Sequence, residues 1–387
     1  MLFVFSFFVS RLPWYIDRLL LQKVVTQGTL LYLCRIMIKD FSPVDFLKGL
    51  IEIPSLSREE DGTRHHFAAL FAGYGIPFEV LENNIWCKNL HYSDSKPVIL
   101  LNSHHDTVKP NASYTRDPFK AEIEDGRLYG LGSNDAGGPL VALLATFLHF
   151  YNRPDLPYNL IFAATAEEEI SGRNGIELLL KHLPAIDLAI VGEPTLMDMA
   201  VAEKGLMVLD CTAHGIAGHA AREEGVNAIY EALHDIQWFR TFEFPKISET
   251  LGKVKMSVTV IQAGSQHNVV PDTCKFIVDV RATDAYTLTE TLEIIRENVK
   301  SEVIPRSVRL NPSGIASDHP IVKRGIALGM KPYGSPTLSD QALIPYTSIK
   351  IGPGDSARSH TADEFIYVHE ITEGIEKYIA LLDGLRL

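Results

Sequence analysis

The residues best equipped for chemistry lie in Leu101-Asn-Ser-His-His-Asp-Thr-Val108, directly after the apolar run Pro97-Val-Ile-Leu-Leu101. That run is short, bounded and rich in strand formers, so a buried strand is expected over 97–102. Side chains two apart on a strand share a face, which points His104 and Asp106 the same way and His105 the opposite way. A histidine beside a carboxylate suits metal binding: one ring nitrogen takes the ion while the acid fixes the tautomer and the ring's orientation. Standing alone, His-x-Asp reads more simply as a part-buried histidine beside a helix-capping aspartate. The other acids of the chain decide between the two.

Asp135 lies in Gly130-Leu-Gly-Ser-Asn-Asp-Ala-Gly-Gly138, a glycine-rich turn before a helix, where an aspartate is ordinarily an N-cap. Glu167-Glu168-Glu169 would normally be a solvated face, but it terminates one of the most apolar strands of the chain, 159–165. Glu193, in Val191-Gly-Glu-Pro-Thr195, ends another buried strand, and His360 follows the last apolar strand and the turn Gly352-Pro-Gly354. All of these fall where strands end and loops begin, the usual ligand edge of an open α/β sheet. Two histidines, several carboxylates and no thiolate suit two borderline-hard divalent ions, such as zinc, cobalt or manganese, bridged by one carboxylate. Two ions about 3.5–4 Å apart lower the pKa of a shared water and polarise a carbonyl oxygen. One carboxylate must stay off the metals to take the water's proton and hand it to a leaving nitrogen. The neighbours Glu168 and Glu169 offer that division.

These residues need a sheet to position them. The chain has 387 residues, 46% hydrophobic and 22% charged, which is a globular composition with room for two domains of about 150 residues. A net charge of −12 argues against nucleic-acid binding. Cys34, Cys87, Cys211 and Cys274 show no paired spacing and read as reduced thiols of a cytoplasmic protein. Residues 1–9 are apolar, but Arg11, Pro13, Asp17, Arg18 and Lys23 interrupt the run well short of the roughly 20 residues a membrane span needs. An ordinary start follows at Met37, so 1–36 is expected to be an extension outside the fold, with no membrane role. Helices over 43–51, 60–73, 140–151 and 176–183 alternate with strands over 78–88, 97–102, 159–165 and 188–191. That alternation predicts an α/β domain whose mostly parallel sheet carries helices on both faces. After residue 202 the profile changes to a strand over 205–214, a helix over 226–241, strands over 253–263 and 273–283, and a helix over 285–300. This is a small α+β layer with one open sheet face. The first pattern returns at 321–330, 347–351 and 369–385. A catalytic domain over 37–203 and 311–387, interrupted by a smaller domain over 204–310, is the expected organisation.

The joint order His-x-Asp, Gly-x-Gly-x-x-Asp, Glu-Glu, Gly-Glu-Pro, Gly-x-x-Gly-His and a final His resembles that of a co-catalytic zinc amidohydrolase and peptidase family. The family includes acetylornithine deacetylase, succinyl-diaminopimelate desuccinylase, aminoacylase and glutamate carboxypeptidase. The resemblance spans 38–387 and implies a zinc exopeptidase-like catalytic domain with an inserted ferredoxin-like lid. It implies that His104 and Glu193 hold one metal and Glu169 and His360 the other. Asp135 would bridge, Asp106 would orient His104 and Glu168 would be the general base. In Gly215-Ile-Ala-Gly-His219, His219 would reach the site from the partner subunit of a homodimer and stabilise the tetrahedral oxyanion. Asn268 and Arg281 would contact the substrate carboxylate, although an ion pair with Asp279 explains Arg281 almost as well. Ser103, Glu167 and Ala136-Gly-Gly138 depart from the family's usual residues without removing a ligand. The activity implied is hydrolysis of an N-acyl amino acid, N-acetylornithine first, as a step of arginine biosynthesis. Succinyl-diaminopimelate, N-acylcitrulline and dipeptides are the alternatives. A non-catalytic metal-binding paralogue would have no use for an unligated Glu168, and no Gly-x-Ser-x-Gly elbow supports a serine hydrolase.

Overall fold

The computed structural model describes residues 41–387. The extension expected over 1–36 and the start at Met37 lie outside the described residues. Four strands carry the sheet edge where these residues lie: Asn159–Thr165, Val98–His104, Leu188–Val191 and Ser348–Lys350 lie side by side and parallel. Every residue in them is buried, as covering both faces of a parallel sheet with helices requires. Ile99 and Leu101 enter the large core that includes the helix Gly138–Phe150, while Val98 and Leu100 enter a second core with Trp86, Ile161 and Ile176. Several polar residues in these strands are tied to neighbours. Asn102 Nδ2 and Thr165 Oγ1 both donate to Asp340 at 2.8 Å, and burial pushes Asp340 up to about 6 against those two bonds. Lys350 lies 2.7 Å from Glu203, both of them buried.

Around this parallel centre the sheet reaches nine strands and becomes mixed. The single strand expected over 78–88 is a hairpin, Phe78–Leu81 and Asn84–Lys88, turning at Glu82-Asn83 with Glu82 at φ +51. The helix expected over 176–183 stops at Leu179; beyond it Lys181 and His182 N–H turn to the carbonyls three residues back, Leu178 and Leu179, at 3.2 and 2.9 Å. Met199–Glu203, unanticipated as a strand, pairs antiparallel with Ser348–Lys350. A separate three-stranded sheet of Glu122–Glu124, Arg127–Tyr129 and Phe365–Tyr367 brings the segment after His360 beside the loop that carries Asp135.

Between Glu203 and Ser313 the chain builds a second, antiparallel sheet in the order Lys255–Ala263, Thr273–Ala282, Gly205–His214, Glu302–Pro305. With the helices Ala228–Thr241 and Leu288–Asn298 it forms a ferredoxin-like layer. Its burial alternates strictly along Gly205–His214, so one face packs on Met207, Leu209, Cys211 and Ala213 and the other is open. No helix among the described residues is long and apolar enough to cross a membrane.

Candidate metal centre

His104 is the last residue of its strand and is 1% exposed. Its Nδ1 lies 3.0 Å from the backbone oxygen of Asp106 and 3.3 Å from Asp106 Oδ1, which puts the ring proton there and the lone pair on Nε2. Nε2 is buried without a hydrogen-bond partner. It faces Asp135 Oδ1 at 3.4 Å, Glu193 Oε1 at 3.8 Å and Glu168 Oε2 at 3.9 Å. A buried imidazole lone pair among three carboxylates is costly unless a cation completes it. His105 does point the other way. Its Nδ1 meets Thr63 Oγ1 at 2.8 Å, its Nε2 meets the carbonyl of Asn83 at 3.0 Å, and burial lowers its pKa to about 4. It is a neutral core histidine.

Asp135 addresses both histidines, with Oδ1 toward His104 and Oδ2 3.7 Å from His360 Nε2. Gly132, at φ +76, makes the turn that puts it there. The backbone N–H groups of Gly132, Asn134 and Asp135 then donate to the carboxylate of Glu364 at 3.3, 2.8 and 2.9 Å. Asn134 fastens the same loop to Asp355, accepting from its N–H at 3.1 Å and donating to its carbonyl at 3.0 Å. Burial, then the charge of Asp135, pushes Glu364 up to about 8 despite those N–H donors. In the sequence Asp363-Glu364 stands out only as part of the C-terminal motif with His360, and Glu364 is given no role of its own; an acid four residues after His360, just before the strand Phe365–Tyr367, is the available signal.

Glu168 and Glu169 follow the strand Asn159–Thr165, and their N–H groups donate to Asp106 Oδ1 and Oδ2 at 3.0 and 3.2 Å. Ser57 Oγ adds a third bond at 2.7 Å. One aspartate thus sets both the His104 ring and the acid pair. Glu169 Oε2 is 2.9 Å from His360 Nε2. Glu167 turns away, with φ +57, and accepts from Asn174 N and Nδ2 at 3.3 and 2.9 Å. A Cβ on Gly172 would lie 2.4 Å from the Cβ of Glu167, so the loop closes only over glycine. The unusual acid at 167 is a loop clamp outside the centre.

The electrostatics are those of a site short of positive charge. Burial works against a charged His104, yet Asp106, Asp135, Glu168 and Glu193 together hold its pKa well above the ordinary value. Burial pushes Glu168 and Glu193 well up, with His104 opposing. Glu169 draws His360 up to about 9. Ligand atoms of His104, Asp135 and Glu169, and of His104, Glu168 and Glu193, lie within 4.8 Å of one another. The partnerless Nε2 and a donor set of imidazole and carboxylate fit divalent cations.

The structure gathers His104, Asp106, Asp135, Glu168, Glu169, Glu193 and His360 into one place. His219, Asn268 and Arg281 stay in the inserted layer. His219 is exposed on a short ribbon, Gly218–His219 paired with Val269–Val270. Its Nδ1 accepts from the N–H of Ala221 at 3.1 Å, leaving Nε2 as the donor. Asn268 is exposed beside it, its carbonyl accepting from Ala220 at 3.0 Å. Arg281 spends Nε and Nη2 on Asp279 at 2.9 and 3.0 Å, the ion pair weighed against a substrate contact.

Fold and site define a metal-dependent amide hydrolase. Residues 100–384 match Peptidase family M20/M25/M40, and the chain belongs to that family. A succinyl-diaminopimelate desuccinylase of Ruegeria sp. is 26% identical over 279 residues, covering 67% of this chain and 70% of that protein. A tripeptidase from Staphylococcus aureus superposes with a TM-score of 0.72 at 20% identity, over 88% of this chain and 96% of that one. A dinuclear metal-binding M20 peptidase from Bacillus subtilis does so with a TM-score of 0.66 at 17% identity, over 88% and 96%.

Proposed function

We propose that this chain hydrolyses the amide bond of an N-acylated amino acid at a centre of two divalent cations, zinc or cobalt. The observation that carries the reading is Asp135, whose two oxygens face His104 and His360, with Glu168 beside the partnerless Nε2. His104 and Glu193 would hold one cation, Glu169 and His360 the other, and Asp135 both. When bound, the cations supply a water of lowered pKa and a polarised substrate carbonyl. Glu168 takes the water's proton on its carboxylate and delivers it to the leaving nitrogen. Asp106 keeps the His104 lone pair directed inward and Glu168 in place through its N–H. His219 of the partner subunit in a homodimer stabilises the oxyanion with a hydrogen bond from its Nε2–H. Asn268 and Arg281 read the substrate carboxylate, Arg281 at the expense of its pairing with Asp279.

The curated relatives favour a succinyl group over the acetyl group first expected. Succinyl-diaminopimelate therefore leads, N-acetylornithine follows, and N-acylcitrulline and dipeptides come after. The test is hydrolysis of succinyl-diaminopimelate, of the acetyl and succinyl forms of ornithine and citrulline, and of dipeptides, with zinc or cobalt and with chelator. Chelator-sensitive turnover of one of them supports the reading and names the substrate. Bound metal with turnover of dipeptides alone would replace the acyl-amino-acid reading, and absence of bound metal would end it.

A further inference from the structure

The loop carrying Glu168 and Glu169 is gripped from two sides. On the metal side, Asp106 accepts both of their N–H groups. On the other side the grip comes from Arg309, in the segment returning from the inserted layer between the strands Glu302–Pro305 and Ser313–Gly314. Its Nη2 donates to the carbonyl of Ser171, in the middle of the loop. Its Nη1 lies 2.7 Å from Glu177 Oε2, in the short helix Ile176–Leu179 that the loop runs into. The Arg309 and Glu177 side chains are only 24% and 26% exposed, so water competes weakly for the pair.

The loop has reason to need this support. Glu167 and Ser171 both hold left-handed backbone, at φ +57 and +47, an uncommon conformation for residues with a side chain. Its internal bonds, Ser171 N–H to the Glu168 carbonyl and Gly172 N–H to the Glu167 carbonyl, are 2.7 Å each and close a tight turn around Glu168. Arg309 acts on the outer side of that turn. Its own segment is tied to the outgoing connection, because Leu206 N–H donates to the Leu310 carbonyl at 3.0 Å. Arg309 therefore stands where both connections to the inserted layer meet, and its planar fork spans a carbonyl and a carboxylate that a lysine ammonium could not span together.

We propose that Arg309 is a positioning residue: through Ser171 and Glu177 it fixes the Glu168–Glu169 loop against the metal centre, coupling the placement of the base to the inserted layer. The proposal rests on Glu168 being the general base. Its test uses the full chain with Arg309→Ala, Arg309→Lys and Glu177→Gln. It reads kcat and KM on succinyl-diaminopimelate, or on whichever compound of the panel above is turned over, together with bound metal and hydrogen exchange of the peptide covering 166–175. Arg309→Ala should lower kcat about tenfold or more with KM within about twofold, because a small misplacement of a catalytic group costs rate before binding. Metal content should hold, and faster exchange should be confined to 166–175. Arg309→Lys and Glu177→Gln should fall between it and the wild type and remain informative if the alanine variant does not fold. Adding Glu177→Gln to Arg309→Ala should cost nothing more. Wild-type kcat and unchanged exchange in Arg309→Ala, or a rise in KM alone, would overturn the proposal. If the wild type turns over no substrate, the proposed function fails, and the exchange of 166–175 alone still decides whether Arg309 holds the loop.

Discussion

His104 and His219 are assigned to the same amide, and their surroundings are opposites. His104 is 1% exposed at the end of a strand that is buried along its whole length, with Nε2 held among carboxylates. The groups around it are fixed through their backbone, the Asp135 loop by Glu364 and the acid pair by Asp106. His219 is exposed on a short ribbon and bonds within its own turn. The difference fits the two roles proposed for them. A centre that holds cations before substrate arrives has to be built in advance on rigid elements. A group that acts on the oxyanion is needed only once another surface has delivered it.

The largest effect that would break this contrast lies at Glu168. Glu168→Ala should lower kcat about 10³-fold, within the range general bases contribute, while metal content stays at the wild-type level. Asp135→Ala should instead lower metal content itself, since its oxygens face both histidines. Metal analysis beside turnover separates the two, and activity retained in Glu168→Ala would remove it as the base.

Next in size is a buried ion pair of the central sheet. Glu203 accepts from Lys350 Nζ at 2.7 Å and from Ser339 N and Oγ at 2.9 and 2.7 Å, and Lys350 is 2% exposed. Glu203→Ala leaves that buried ammonium without its paired carboxylate, which should cost about 3–5 kcal/mol in urea unfolding. A loss under about 1 kcal/mol would mean that water already reaches Lys350.

The same sheet shows what could be read from the sequence. Val98–Leu101, Leu160–Ala164 and Leu188–Val191 were legible because a parallel strand covered on both faces must be continuously apolar, and acids at the ends of such runs have no packing reason to be there. Lys350 was illegible for the converse reason: a lysine inside Thr347-Ser-Ile-Lys-Ile351 looks like a solvent position, and its partner Glu203 sits on a strand that local pattern did not reveal. Glu364 escaped for a related reason, since its partners are backbone N–H groups about 230 positions away, which no side-chain pattern encodes. The hairpin at Glu82-Asn83 lacks the glycine that usually announces such a turn. Whether His219 meets the centre depends on a surface outside a single chain.

Subunit mixing sharpens that last point. His219→Ala alone should lower kcat about 10²-fold, the usual scale for one oxyanion donor. Mixed with Glu168→Ala subunits, it should regain about one quarter of wild-type activity, because half of the random dimers then carry one site with both residues intact. No recovery after verified exchange would place His219 outside the partner's site.

The smallest expected effect tests the open face of the inserted sheet. Asp210 lies on that face and takes the Arg306 guanidinium at 2.9 Å through both oxygens, yet the side chains are 49% and 51% exposed. In solvent such a pair is screened, so Asp210→Ala should cost no more than about 1 kcal/mol and less in high salt. The hydrogen bond from Arg306 lowers the Asp210 pKa. Its contribution is therefore present above the unfolded carboxylate value of about 4 and lost as pH falls through the lower folded value. Asp210→Ala should accordingly match the wild type in acid and differ slightly from it near neutrality. A loss as large as that of Glu203→Ala would mean that the open face is covered in solution. The contrast between a buried catalytic sheet and an exposed inserted one would then describe one subunit and not the working assembly.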